Sequence, residues 1–303
     1  MRRKPPHAGT FRFYFPTRMR HSKTMSRASA SEDNLPMTDS ANIDGFAEPW
    51  QAEPDRGPGL RDKIVRRIEA ALSPAVKRAM KQSVQRPRVG KVDMGDLRRT
   101  RPISKWWGWA RGTPVDRHYI EGFLASHRDD VRGRAMEVGD VRYITEFGGE
   151  RVTSVDVLNY VDLPSTTIVA DLVDAPDIAD DRFDCIICTQ VLQFTKDPTA
   201  ALATMRRILA PGGTLLMTVP CVSNLDTEAN WHDRWRFTSR AVTEMAESAA
   251  KAGDDISIES HGNVLVIVSF LHGLSAEELD PEELAERDGR YEMIVTLRLR
   301  KAP

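Results

Sequence analysis

The chain has 303 residues, 41% of them hydrophobic and 29% charged, which is enough apolar content for a core and too much for a disordered polymer. No run reaches the roughly eighteen apolar residues that a bilayer-crossing helix needs, and three cysteines do not make a disulfide framework. The net charge of −1 conceals an uneven distribution along the chain, so neither a uniformly basic nor a uniformly acidic surface is present.

Residues 1–59 lack apolar periodicity and are rich in Pro, Ser and charged residues, so they are expected to be disordered. Their first thirty-one residues carry eight Lys/Arg and no Asp/Glu, superficially like a transit peptide, and Met25 or Met37 are alternative starts. Without an apolar segment, this stretch is not expected to act as a secretory signal. Residues 60–111 are expected to form a basic helical arm. Ile64, Val65, Ile68 and Leu72 mark one helix; Val76, Met80 and Val84 mark a second, which opens at Ser73-Pro74. Arg61, Arg66, Arg67, Lys77, Arg78 and Lys81 lie on the other faces. Residues 61–111 hold fifteen basic and four acidic side chains, whereas 112–303 hold nineteen basic against thirty-three acidic, a net of −14. Such an arm either grips an anionic partner or packs on its own acidic domain. The arm ends in Trp106, Trp107 and Trp109, which serve either as a lid and substrate wall or as packing.

From residue 112 a regular alternation begins. Thr113-Pro114 opens a helix through His127, and Asp116 completes something close to a capping box. Strands are expected at 135–138, 152–156, 167–171, 183–188, 214–219, 255–260 and 291–300, with helices before Gly148-Gly149, after Asp197-Pro198 and near 239–251. The apolar run Val264–Leu271 belongs to the core. Alternating strands and helices predict an α/β, doubly wound, Rossmann-like sheet over 112–303, mostly parallel and covered on both faces. Cys185 and Cys188, three apart on one strand, point to opposite faces, which argues against a shared metal or disulfide. As small buried hydrophobes they fit a cytoplasmic protein.

Ligands of such sheets sit beyond the carboxyl ends of the strands. The first strand ends Glu137-Val-Gly139-Asp140, where glycine admits a ligand close to the backbone. Asp156, nineteen residues after Glu137, is placed to accept a ribose diol, and Asp171 an adenine amino group. Cys188 to Phe194 form the switch-point loop.

Residues 134–220 resemble the class I S-adenosylmethionine-dependent methyltransferase family of the small-molecule, ubiquinone-methylase-like type. The resemblance rests on Asp181-Arg-Phe-Asp-Cys-Ile-Ile-Cys-Thr-Gln-Val-Leu-Gln-Phe194 and on Ile208-Leu-Ala-Pro-Gly-Gly-Thr-Leu-Leu-Met-Thr-Val-Pro220. It implies seven strands with an antiparallel last one and S-adenosyl-L-methionine as cofactor. It also implies Glu137 and Gly139 near the methionine moiety, Asp156 on the ribose, Asp171 with Leu172 by the adenine, and Thr189 and Gln190 on the cofactor floor. The family's first loop has two or three glycines. Here Asp140, Val141 and Arg142 follow Gly139 directly, and Asp140 either caps a helix or faces the cofactor's ammonium group. Methyl transfer to an oxygen asks for a base, and His232 with Asp233, or His118, are the candidates. The expected function is methylation of an oxygen or nitrogen of a small molecule such as a sugar or glycan precursor. A non-catalytic binding or interaction relative is the alternative. A nicotinamide oxidoreductase fits less well, lacking the three-glycine fingerprint, and no Asn/Asp-Pro-Pro-Tyr-like motif marks a nucleic-acid methylase. The oligomeric state is left open.

Overall fold

The structure is a computed structural model that describes residues 73–226 and 232–303. The segment 1–59, the first arm helix and Trp231 lie outside the described residues. The chain divides into a unit ending at Gly95 and a unit Asp96–Pro303. In the first, α1 (Pro74–Ser83) has the expected start: Pro74 leads the helix and the Ser73 hydroxyl accepts from the Val76 amide at 3.4 Å.

The second unit contains α2 (Val115–Ser126), β1 (Gly133–Val138), α3 (Arg142–Gly148), β2 (Val152–Asn159), β3 (Ile168–Val169), β4 (Phe183–Thr189) and α4 (Pro198–Ile208). Then follow β5 (Leu209–Pro220), α5 (Ser239–Ala249), β6 (Asp255–His261), α6 (Val264–Leu271), α7 (Pro281–Ala285) and β7 (Ile294–Arg300). The seven strands order as β3-β2-β1-β4-β5-β7-β6. Neighbours are parallel from β3 to β5, and β7 runs antiparallel to both β5 and β6. The doubly wound sheet with an antiparallel last strand is thus as expected.

Each face of the sheet carries its own core. Met136, Ile186 and Met217 pack with α4 and α5 through Leu202, Met205, Val242 and Ala246. Ala135, Ile187 and Leu216 pack with α2, α3 and α6 through Ile120, Leu124, Ile144 and Phe270. Cys188 belongs to the first cluster and Cys185 to the second, so the two thiols lie on opposite faces. Burial pushes both up to about 12, which leaves them as inert thiols. The apolar run 264–271 is a helix, begun by Asn263 accepting from the Val266 amide at 3.0 Å. Among the described residues no helix is long and apolar enough to cross a membrane.

Two local expectations are corrected. Thr113 does not form a capping box with Asp116; its hydroxyl donates to Glu277 at 2.7 Å and its amide to the same carboxylate. The tryptophan turn belongs to the Asp96–Pro303 unit. Gly108, at φ +101, lets it close, since a Cβ there would lie 2.5 Å from the Leu274 carbonyl oxygen. Trp107 packs on the second core, while Trp106 and Trp109 are exposed.

An ion pair ties α4, the turn before β6 and the segment after β7 together. Arg206 of α4 grips Asp254 through two bonds of 2.7 and 3.0 Å, and Asp254 also accepts from the Lys251 and Ala302 amides. Burial disfavours the charge, yet Arg206 and the amides prevail and hold this carboxyl down at about 2. Asp254→Ala leaves a buried guanidinium uncompensated and should cost about 3–5 kcal/mol, read from urea denaturation. Because the folded value lies below the unfolded one, this stabilisation is complete above pH ~3.8 and fades toward about 2. A loss under 1 kcal/mol would contradict the clamp.

Candidate active site

The carboxyl ends of β1, β2, β3 and β4 form one crest, and the expected residues sort into three groups there. Glu137, Gly139 and Asp140 occupy the β1 end. Glu137 is 3% exposed and accepts from the Tyr143 amide at 3.2 Å and the Ile144 amide at 2.9 Å. It therefore caps α3 from beneath, satisfying donors that a helix start otherwise leaves open. Burial, against these two amides and with Asp140 nearby, pushes the Glu137 carboxyl up to about 8. Asp140 accepts from the Arg142 amide at 2.8 Å, closing the short loop. Gly139, at φ +109, has nothing within 4 Å of the place a Cβ would take, so open space lies before the loop.

Asp156 is not part of the crest. β2 continues for three residues beyond it to Asn159, and Asp156 pairs laterally with Met136. Its carboxylate accepts from Arg182 at 2.7 Å and from the Thr167 hydroxyl at 2.7 Å. The side chain that does occupy the β2 end is Asn159, 8% exposed, whose amide donates to the Gly139 carbonyl at 3.1 Å and to Thr166 Oγ1 at 2.9 Å. It thereby holds the β1 loop to the β2–β3 connection. Sequence reasoning missed it because apolar Val157 and Leu158 carry the strand past Asp156 without marking where it stops.

Asp171 follows β3, half-buried, and accepts from the Val173 amide at 3.0 Å; Leu172 beside it is core. Thr189 ends β4 and Gln190 follows it, with the Gln190 backbone amide donating to the Thr218 carbonyl at 2.9 Å. Gln190 has φ +55, a costly conformation for a residue with a side chain. Its Nε2, Gln193 Oε1 and Thr218 Oγ1 are buried without a hydrogen-bond partner. Unsatisfied polar atoms gathered beside a crevice are what a polar ligand would complete. From the other side, Arg117 of α2 donates to the Tyr143 hydroxyl at 3.2 Å, and Arg142 to Glu121 at 2.6 Å.

The loop after β5 is fastened onto the loop after β4. The Arg234 amide donates to the Gln193 carbonyl at 2.8 Å, and Trp235 Nε1 to the Thr195 carbonyl at 2.9 Å. Asp233 is held in a fork by Arg236 at 2.6 and 2.9 Å and accepts from the Asp226 amide. Burial works against its charge, but this fork keeps the carboxyl below the ordinary range, which suits an anchor better than a base. His232 is exposed at φ +56. His118 is also exposed, edge-on to Tyr119 at 5.1 Å.

Glu137→Ala, which orphans two buried amides, should destabilise the fold by about 1–3 kcal/mol, while Glu137→Gln keeps an acceptor and should cost less. The folded carboxyl titrates near 8 against 4.5 unfolded, so its contribution is complete below ~4.5 and is lost as pH rises through about 8. The stability gap between wild type and Glu137→Gln, measured by urea melts, should shift in that sense; a pH-independent gap would contradict it.

Comparison with known proteins places these elements. Residues 138–217, from the end of β1 into β5, match the family described as methyltransferase domain. Over 125 residues the chain is 27% identical to malonyl-[acyl-carrier protein] O-methyltransferase of Hahella chejuensis, covering 38% of this chain and 44% of that protein. The match therefore spans less than half the length of that curated relative. Among solved structures, the [4+2]-cyclase SpnF shares 16% identity at a TM-score of 0.43, over 63% of this chain and 83% of that one. The N-methyltransferase NodS of Bradyrhizobium japonicum shares 15% at 0.38, over 63% and 98%. The family match lies on the strands that build the crest, so residues 138–217 are similar to a methyltransferase domain, in keeping with the resemblance to the class I, S-adenosylmethionine-dependent methyltransferases.

Proposed function

We propose that the protein transfers a methyl group from S-adenosylmethionine to an oxygen or nitrogen of a small molecule. The observation that carries this is the crest itself. It has open space before Gly139, a protonatable carboxyl beneath it, and unsatisfied Gln190, Gln193 and Thr218 atoms across from it. These features fit the cofactor. Glu137 and Asp140 would face its cationic amino-acid end, Asn159 and the Gly139 backbone its ribose, Asp171 and Leu172 its adenine, and Thr189 and Gln190 its floor. The bound sulfonium supplies an already activated methyl group, so the chain's own residues have chiefly to orient an acceptor and exclude water.

Trp235, 40% exposed and fixed through its indole N–H, offers a flat wall beside the crest of the kind that stacks on a sugar ring or a planar metabolite. An oxygen acceptor is favoured by the relative from Hahella chejuensis, an O-methyltransferase. His232 would serve as base if the loop brings it inward; Asp233, bound to Arg236, would hold that loop rather than take a proton.

A second reading, a methyltransferase-like binding protein without catalysis, is favoured by a specific observation. Glu137 is engaged by α3 and Asp156 by Arg182, so two carboxylates expected on the cofactor serve the fold. Calorimetric titration separates the readings. S-adenosylmethionine should bind wild type, and Asn159→Ala should weaken it by about 1 kcal/mol, roughly fivefold, through loosening of the β1 loop. Asp156→Ala should leave affinity unchanged. No heat and no thermal shift at millimolar cofactor would give the binding-protein reading the place of the enzyme.

A proton is also at stake. A cation set beside Glu137 lowers its pKa, so cofactor binding at pH 7 should release protons and tighten as pH rises toward about 8. Titrations in two buffers of different ionisation enthalpy would measure this release. Equal heats in both would remove Glu137 from the cofactor's cationic end.

A further inference from the structure

The end of the sheet opposite the crest holds a second cleft, of about 660 Å³, lined by Arg132, Arg151 and Arg300 with Gly133, Asp184, the Pro211-Gly212-Gly213 turn and Pro303. Arg132 precedes β1, Arg151 precedes β2, and Arg300 ends β7, whose antiparallel course brings its last residue to this end. The six-residue β1 separates the cleft from Gly139 by roughly 20 Å, so it is distinct from the candidate active site.

Its charge is unusual for a domain that is strongly acidic as a whole. Asp184, the acidic side chain in the lining, is already taken: the Arg134 amide donates to it at 2.7 Å and the Arg134 side chain at 3.2 and 3.3 Å. Arg151 donates to the Arg128 and Phe147 carbonyls, neutral acceptors that leave its charge unbalanced. Arg132 and Arg300 are exposed, and among the described residues neither they nor Arg151 enters an ion pair. Elsewhere this end of the sheet neutralises its cations with care: Arg298 takes Asp130 and Asp255, Lys301 takes Asp181, and Arg206 takes Asp254. Three like charges drawn into one concavity repel one another unless an anion joins them. Guanidinium forks match phosphate oxygens two at a time, and three of them call for more negative charge than one carboxylate carries. The volume is that of a small-molecule site.

We propose that this cleft binds a small phosphorylated molecule carrying at least two phosphate charges, held by Arg132, Arg151 and Arg300. The probe is inorganic pyrophosphate, titrated calorimetrically into the full-length protein at about 0.1 M salt, with inorganic phosphate and a short DNA duplex as parallel arms. Pyrophosphate should bind at one saturable site, more tightly than phosphate, and the double variant Arg132→Gln/Arg300→Gln should weaken it at least tenfold with an unchanged melting temperature. Arg132→Lys/Arg300→Lys, which keeps charge but loses the fork, should retain part of the affinity. Absence of saturable pyrophosphate binding, or binding that the Gln variant leaves intact, overturns the proposal. Tighter binding of DNA, lost in the same variant, also overturns it by assigning the cleft to a nucleic-acid backbone.

Discussion

The carboxyl group of Glu137 is the constraint on which the crest depends. It lies at the end of a central strand, buried, and takes the Tyr143 and Ile144 amides of a helix only seven residues long. A helix so short has little stability of its own, and its start must be satisfied from outside. The position of α3 in turn fixes the turn through Asp140 and the open side of Gly139. Asn159 then clasps the Gly139 carbonyl from the next strand. A loop with one glycine is thus held by side-chain acceptors and donors where a glycine-rich loop would rely on its backbone.

The sheet separates two chemistries along its length. Its carboxyl end gathers Glu137, Asp140 and Asp171 with unsatisfied amide and hydroxyl groups, and the loop after β5 is strapped to it by Arg234 and Trp235. Its amino end collects arginines, several of them neutralised by aspartates, of which Asp254 also accepts from the Ala302 amide. The antiparallel β7 makes this possible, since it delivers Arg298, Arg300 and Lys301 to an end where parallel strands begin.

Most of the architecture was legible in the sequence because alternation of apolar strands and capped helices leaves few arrangements. Asp197 and Ser73 cap the helices they precede, and Cys185 and Cys188 divide between the faces as a period of two requires. The end of β2 was not legible. β2 becomes buried on both faces only at its carboxyl end, where apolar Val157 and Leu158 mark no boundary, so Asp156 looked terminal while Asn159 was. Nor could sequence spacing find the partners of Thr113, Asp156 or Asp254, which come from far along the chain. Asp233 and Arg236 are close neighbours, yet whether that carboxylate takes a proton or anchors a loop depends on the fork that only folding forms.

The role proposed for Glu137, a buried, protonatable cap that responds to a cation at the crest, is open to direct measurement. The most direct measurement is the titration of its carboxyl carbon by NMR in glutamate-labelled protein, assigned with Glu137→Gln, in the absence and presence of S-adenosylmethionine. The account predicts a midpoint near 8 in the free protein that moves clearly downward when the cofactor is bound. A midpoint in the ordinary glutamate range near 4.5, or one that the cofactor leaves in place, would contradict it.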